Sequence, residues 1–394
     1  MTTLDVHDAV GQIRALSPMI RAQCADIDHT RAIPPSVIDE VRQLGLFRLL
    51  APLALGGAQV DPVTFFEVVE EAASADGSVG WCVMIGGCYS LFAGILPSAG
   101  ARDVFGDSAT ITAGVFRPSG TARRTEGGYR VSGRWALGSG STHADWFLGG
   151  CVVVDPNDHS GSSKPPEMRA VFFPASEATV IDTWDSTGLR GTASHDYSVT
   201  DEFVPEQRTM WFSDPPTCDD DLFRMPPVGL FAAYVAAVPL GIARHAIEEF
   251  AQIAVGKSQA PSLPVLADKP VAHAIFGRAS ALVEAGRQSL VRTIDQLWLD
   301  VQGGRLPDLV DRRTLWLAAT HAAHNALQAV EMLYASAGAT SVYSTCPLDR
   351  CLRDVRTAVQ HIVLQEANYE HYGRELFGRD PVAGPWALDY RHDR

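Results

Sequence analysis

The residues best suited to chemistry lie in "GRWALGSGSTHADWFLGG", positions 133–150. Ser139, Gly140 and Ser141 put two hydroxyls and unobstructed backbone amides at one spot, framed by the flat rings of Trp135 and Trp146. Two readings are open. A Gly/Ser segment between strands is commonly a turn, with its tryptophans in the core. The same composition suits a pocket wall against a flavin, whose N5 and O4 edge needs hydrogen-bond partners and whose faces need apolar contact. Upstream, "AGVFRPSGTARR" (113–124) places Phe116 and Ser119 by a Pro118–Ser119–Gly120 turn, which a hairpin brings beside 135–141. Downstream, "STGLRGTASHDYSVTDEFVPE" (186–206) gathers Arg190, Thr192, Ser194 and His195 near the start of a strand. Arginine and hydroxyls together can hold a phosphate, or they form a polar strand edge.

His361 closes "RDVRTAVQH". The apolar stripe of this helix is Leu352, Val355, Val359 and Ile362, and His361 shares the other face with Arg350, Asp354 and Gln365. Asp354 and His361 are two turns apart, about 10 Å by helical rise, so they do not pair directly. Such a face is either solvated or lines a cavity, where a histidine acts as general base or hydrogen-bond donor. His321 and His324, spaced i,i+3, are at most half a metal site; no carboxylate pair accompanies them, Glu331 is too far along the helix, and no metal is expected. There is no nucleophile elbow, zincin motif, Rossmann fingerprint or P-loop.

Three stretches must position these residues. Residues 1–107 read as helical. "PPSVIDEVRQLGLFRLL" enters on Pro34 and Pro35 and carries Val37, Ile38, Val41 and Leu44 at helical spacing. "DPVTFFEVVEEAASADGS" starts at Asp61–Pro62 and stops at Gly77. "VGWCVMIGGCYSLFAGIL" is apolar nearly all round, which predicts a buried helix. Residues 108–215 turn to β-prone runs punctuated by Gly, Pro, Asn and Asp, with a hairpin around Glu126–Gly127–Gly128. "DPNDHSGSSKPPE" (155–167) reads as a mobile surface loop. Residues 222–394 return to four long helices. The third bears Leu315, Ala319, Ala322, Ala326, Val330 and Leu333 on one stripe, and the last runs from near Pro347 through "YGREL". Helices, a β block, then helices is an α+β order without internal repeat.

The chain has 394 residues, 46% hydrophobic and 20% charged, enough for two or three domains and a sizeable core. Lys plus Arg number 32 against 46 Asp plus Glu, a formal charge of −14, which argues against nucleic acid and anionic membrane surfaces as partners. No stretch reads as a transmembrane span. The N-terminus lacks signal-peptide features and reads as a helix start capped near Thr3 or Asp5. The seven cysteines are odd in number and lack C-x-x-C spacing, as expected of reduced thiols in a cytoplasmic protein.

Taken in order, "ADGSVGW", "PSGTARR", "GYRVSGRWALGSGSTHADW", "GLRGTASHDYSVTDEFVPE" and "CPLDRCLRDVRTAVQH" make the chain, over nearly its whole length, resemble the acyl-CoA dehydrogenase fold superfamily. Within it the chain is most similar to the flavin-dependent monooxygenases, the oxygenase components of two-component systems. These include the enzymes hydroxylating 4-hydroxyphenylacetate or a steroid-derived phenol, and the dibenzothiophene monooxygenase. The resemblance implies an N-terminal helical domain (1–107), a central β-barrel or sandwich domain (108–215) and a C-terminal four-helix bundle (222–394) that mediates a homotetramer or homodimer. It places the flavin between the β-domain and the helices, partly against a neighbouring subunit, with 133–150 as a wall. Reduced FMN or FAD is implied to come from a separate NAD(P)H-dependent reductase, in keeping with the missing nicotinamide fingerprint. O2 then adds as a C4a-(hydro)peroxide that oxygenates an aromatic, polyketide-like or amine small molecule.

By residue, the resemblance puts Trp81 near the flavin, Trp135 at the end of the hairpin, and Ser139 or Ser141 beside the flavin, with Ser141 the favoured register. Phe116, Ser119 and Gly140 complete the expected wall, and Arg190 and Lys257 are phosphate candidates. His361 matches the histidine at the flavin's reacting edge, expected to protonate or orient the peroxide or to deprotonate a phenol. Two departures matter. Tyr89 stands eight residues after Trp81 where many relatives carry histidine; it donates a hydrogen bond but is a far poorer base. The catalytic glutamate of the dehydrogenases has no match, since "QHI" stands there, which disfavours acyl-CoA oxidation. The alternatives are a flavin oxidase or dehydrogenase of the same fold acting on a specialised metabolite, and a non-catalytic protein that kept the fold.

Overall fold

Helices flank a central sheet in a computed structural model that describes residues 8–155, 166–258 and 264–379. The cap expected at Thr3 or Asp5, and positions 156–165 of the expected surface loop, lie outside the described residues. The N-terminal helices are α1 (Ala9–Thr30), α2 (Pro35–Gln43), α3 (Pro62–Ala75), α4 (Gly77–Ser90) and α5 (Ser98–Phe105). Their starts follow from local chemistry. The Asp61 carboxylate accepts the Val63 and Thr64 N–H groups at 3.0 and 2.9 Å, with Pro62 in the first turn. Asp76 ends α3 and caps α4 by accepting the N–H groups of Ser78 and Val79. Gly77, expected to end α3, therefore opens α4, and the two helices meet at a fixed corner.

Among the described residues seven strands follow: β1 (Thr112–Thr125), β2 (Gly128–Gly138), β3 (Trp146–Val154), β4 (Met168–Pro174), β5 (Thr179–Ile181), β6 (His195–Pro205) and β7 (Thr209–Met210). The expected hairpin joins β1 to β2, with Thr125 opposite Gly128 and Gly127 at φ 76° in the turn. The order is β5-β6-β2-β1-β3-β4-β7, parallel only between β1 and β3. This is one sheet, not a sandwich of two. The rings of Phe173 on β4 and Tyr197 on β6 lie 6.3 Å apart. Four strand positions separate them, about 19 Å in a flat sheet. The sheet therefore curls around Trp135, Phe147, Phe173 and Tyr197 into a barrel-like form with β5 and β7 as its ends.

Beyond the sheet come α6 (Pro227–Gly256), α7 (Pro270–Gln302) and α8 (Leu309–Ala337), whose expected stripe is buried. The fourth long helix is broken instead of continuous: α9 (Pro347–Ala358) stops, and α10 (Ala367–Leu376) begins after a short 3-10 turn. The break is held from α8. Buried Asn368 donates to Thr320 Oγ1 at 2.8 Å and to the Val363 carbonyl at 2.9 Å, satisfying a backbone group the break exposes. Two stretches also overturn the expectation that none is long enough to span a membrane. Gly77–Gly94 and Pro227–Gly256 pass by length and apolarity, but 100% and 78% of those windows are buried, so protein packing already takes up their apolar surface.

Candidate active site

α4 supplies the first wall. Trp81, Cys82, Ile85 and Tyr89 share one side of the helix, and the rise from Trp81 to Tyr89 is about 12 Å. Trp81, Cys82 and Ile85 retain 7%, 5% and 6% exposure, whereas Val79, Val83 and Met84 on the other sides retain 1%, 1% and 0%. The Trp81 side is thus slightly less closed than the others, up to Tyr89, which retains 2%.

The second wall combines the turn after β2 with the loop before β6. Gly140 sits at φ 77° and its N–H donates to the Thr192 carbonyl at 2.8 Å, while Ser141 Oγ donates to the Ala193 carbonyl at 2.7 Å. A row of hydroxyls links the walls. Trp81 Nε1–H donates to Ser139 Oγ at 2.9 Å, Ser139 Oγ lies 2.8 Å from Ser194 Oγ, and Ser194 Oγ lies 2.7 Å from Thr192 Oγ1. Thr192 Oγ1 donates to the Leu189 carbonyl at 2.8 Å. Each hydroxyl has one hydrogen, so the row has a direction: Ser139 gives to Ser194, and Ser194 to Thr192. All of its hydrogens are committed, and what remains is lone-pair acceptor capacity.

His361 comes from the turn after α9, with an extended backbone (φ −62°, ψ 136°), and not from a helix face. The expected two-turn relation to Asp354 does not exist, because α9 ends at Ala358. The His361 ring lies 5.8 Å from that of Trp81 and 5.5 Å from Phe231 on α6. Nδ1 accepts the Val363 N–H at 3.4 Å, which leaves the hydrogen of the neutral ring on Nε2. Enclosure of the ring pushes its pKa down to about 4, so it is neutral near neutral pH. At the far end of α4 the Tyr89 hydroxyl donates to the Gly114 carbonyl at 2.8 Å, and burial holds its pKa far above the ordinary tyrosine value. Its ring meets Phe116 at 5.5 Å, and Phe116 meets Phe92 and Phe212 at 4.9 and 4.6 Å, giving an aromatic end wall.

Trp81, Phe116, Ser139, Gly140, Ser141, Tyr89 and His361 are thus brought to one region, and several other expected residues are not. Trp135 is completely buried inside the curled sheet, where its Nε1–H donates to the Gly150 carbonyl and its ring stacks on Tyr197 at 5.3 Å. Its supposed companion Trp146 lies instead under Arg208 at 5.0 Å. Ser119 is exposed and sits in no turn: four residues of β1, Phe116–Ser119, bulge opposite Gly150 alone, which swings Phe116 inward and Ser119 outward. Arg190 is spent on the Asp28 and Ser186 carbonyls and the Asp185 carboxylate. Lys257 holds the end of α8 through the Ala337 carbonyl and Thr340 Oγ1. His195 accepts the Thr183 and Trp184 N–H groups, and His321 pairs with Tyr369 and Asn325. Of the cluster read as phosphate-binding, only Thr192 and Ser194 reach the site. Phe92, Phe212 and Phe231 had no signal beyond apolarity. A groove of about 630 Å³ between α7 and α8, bordered by Arg292, Asp300 and Arg305, is lined by none of these groups.

Residues 14–100 match the family described as acyl-CoA dehydrogenase, N-terminal domain, and residues 233–366 that described as acyl-CoA dehydrogenase, C-terminal domain. The chain is 33% identical to an indole-3-acetate monooxygenase of Pseudomonas putida over 92% of each protein. The chain belongs to the acyl-CoA dehydrogenase family. Its relatives place it in the flavin-dependent monooxygenase branch. It is 29% identical to the flavin-dependent monooxygenase oxygenase subunit HsaA of Rhodococcus jostii, over 93% of this chain and 97% of that one. XiaF from Streptomyces, solved with FADH2 and glycerol, superposes with a TM-score of 0.89 at 27% identity, covering 96% of this chain and 97% of XiaF. In this chain helices and sheet meet at the hydrogen bond between Trp81 and Ser139.

Proposed function

We propose that the chain is the oxygenase component of a two-component flavin-dependent monooxygenase. It takes reduced FMN or FAD from a separate NAD(P)H-dependent reductase and uses O2 to hydroxylate an aromatic small molecule. It works as a homo-oligomer in the cytoplasm. The observation that carries this reading is the direction of the hydroxyl row: with its hydrogens committed inward, the row accepts. A reduced flavin presents N–H groups along its central edge, and acceptors suit it better than they suit the bare N5 of the oxidised form. The fit extends to the backbone, because a Cβ placed on Gly140 would meet only Cys82 Sγ, at 4.0 Å, so an open cradle lies there.

When bound, the reduced flavin supplies the electrons that activate O2. Ser139, Ser141 and Ser194 would fix its edge, and Trp81 and Ile85 would cover an apolar face. His361, neutral and donating from Nε2, would orient an oxygen atom or hand it a proton. Phe92, Phe116 and Phe212 would exclude water and receive an aromatic ring, consistent with relatives named for indole-3-acetate and resorcinol. An oxidase reading draws on Tyr89, whose engaged hydroxyl leaves His361 as the one mobile proton source of the pair.

The test supplies chemically reduced FMN or FADH2 to the purified protein with isotopically labelled O2 and either indole-3-acetate or resorcinol. Labelled oxygen in the product, lost in His361→Asn while flavin binding persists, supports the proposal. Oxygen uptake that ends only in peroxide favours the oxidase, and failure to bind either reduced flavin removes both readings.

A further inference from the structure

The loop that presents Thr192 and Ser194 holds a conformation its residues disfavour. Leu189 and Ala193 lie at φ 49° and 43°, in the left-handed region that side chains rarely adopt. Such a form persists only where surrounding contacts over-determine it; Gly140 and Ser141 hold the Thr192–Ala193 end, and α9 holds the Leu189 end. The Leu189 N–H donates to Asp354 Oδ1 at 2.6 Å. Gly188 lies so close that a Cβ would approach the Arg353 carbonyl oxygen to 2.1 Å, and Arg353 Nη1 donates to the Thr187 carbonyl at 2.9 Å. Asp354 is 3% exposed, and its second oxygen lies 3.5 Å from Arg350 Nε. Arg350 also binds Asp76, the cap of α4, and the Cys24 carbonyl of α1. One carboxylate–guanidinium–carboxylate line therefore joins three pieces: the hydroxyl loop, the helix leading to His361, and the start of the helix carrying Trp81. Burial raises the Asp354 pKa to about 6, and the Arg350 charge and the Leu189 N–H oppose that rise.

We infer that Asp354 is a positioning residue: through the Leu189 N–H it holds the loop so that Thr192 and Ser194 meet Ser139, and through Arg350 and Asp76 it keeps that loop in register with Trp81. The catalytic consequence rests on the proposed oxygenase function; the geometric role does not. Asparagine has one acceptor oxygen for the two donors that Asp354 serves, and its amide N–H2 faces the other donor, so one charge-assisted contact is lost and the loop loosens about tenfold or more. In the flavin-free protein, Asp354→Asn should speed hydrogen–deuterium exchange in peptides covering 186–194 by that factor while α6 and α8 peptides stay unchanged.

A double-mutant cycle reads the same coupling in reduced-FMN affinity. Asp354→Asn and Thr192→Val should each weaken binding, and the pair should be no weaker than the worse single variant, because both act through one row. Should Asp354→Asn fail to fold, Asp354→Glu, which keeps the charge facing Arg350 but displaces it, replaces it in both measurements. Unchanged exchange at 186–194, equal loosening everywhere, or multiplying losses of affinity would overturn the inference. Local loosening in a protein whose parent binds no flavin would instead remove the oxygenase reading and leave this one standing.

Discussion

Gly140→Ala separates folding from binding at the proposed cradle. Alanine at φ 77° is strained, at roughly 1–2 kcal/mol. The new methyl meets only Cys82 Sγ, at 4.0 Å, an ordinary contact, so no clash adds to that figure. In a chain of this size such a loss moves Tm by a few degrees at most. On the open side the methyl occupies space a flat ring needs in order to reach Ser139 and Ser141. Losing two hydrogen bonds of about 1 kcal/mol each raises Kd roughly 30-fold. The assay pairs a thermal melt of the flavin-free protein with anaerobic fluorescence titration by reduced FMN and by FADH2. Gly120→Ala is the contrast, since its Cβ would fall 2.3 Å from Trp135 Cζ2 and 2.7 Å from Cys151 Sγ in the sheet interior. It should lose stability heavily without a selective effect on binding. Wild-type affinity in Gly140→Ala, or a parallel fall of Tm and affinity in both variants, would refute the placement of the cradle.

Three further outcomes are expected. Tyr89→Phe removes a hydroxyl engaged by the Gly114 carbonyl, so stability should fall by about 1 kcal/mol while turnover stays within about twofold; a large drop in turnover at unchanged stability would make that hydroxyl a participant. Arg190→Gln breaks contacts to Asp28 and Ser186, so it should lower Tm but leave flavin affinity unchanged, and a selective loss of affinity would return Arg190 to the phosphate. His143, His245 and His361 are held neutral by burial with pKa values near 4 against about 6.5 unfolded. The unfolded chain therefore takes up protons first. This contribution to stability is complete above about pH 6.5 and is lost as pH falls toward 4, at up to about 1.4 kcal/mol per unit per residue. Urea midpoints across that window should fall less steeply in His361→Gln than in the parent, and equal slopes would show that the His361 ring is solvated.

The sequence made some of this legible and hid the rest for identifiable reasons. The Gly/Ser pattern at Ser139–Ser141 left a plain turn and a pocket wall both open, and the resemblance chose the wall; the left-handed φ of Gly140 and the hydroxyl row came only with the fold. Trp135 was misplaced although its position was also written in the chain: Tyr129, Val131, Gly133 and Trp135 alternate along β2, so Trp135 shares a face with the buried Tyr129 and Val131. The break before His361 had no such mark. Val359 and Ile362 continue the helical period, and what ends α9 is settled by Asn368 reaching Thr320 across 48 residues. Arg190 failed for a related reason, since its carbonyl partner Asp28 stands 162 residues away. The common thread is subtraction. A sequence shows which polar groups a chain owns, and folding decides which of them it spends on itself. Arg190, Lys257 and the Tyr89 hydroxyl are spent. The acceptor lone pairs of Ser139, Ser141 and Ser194 and the Nε2–H of His361 are left over on either side of Trp81, and that is the reason to place the chemistry there.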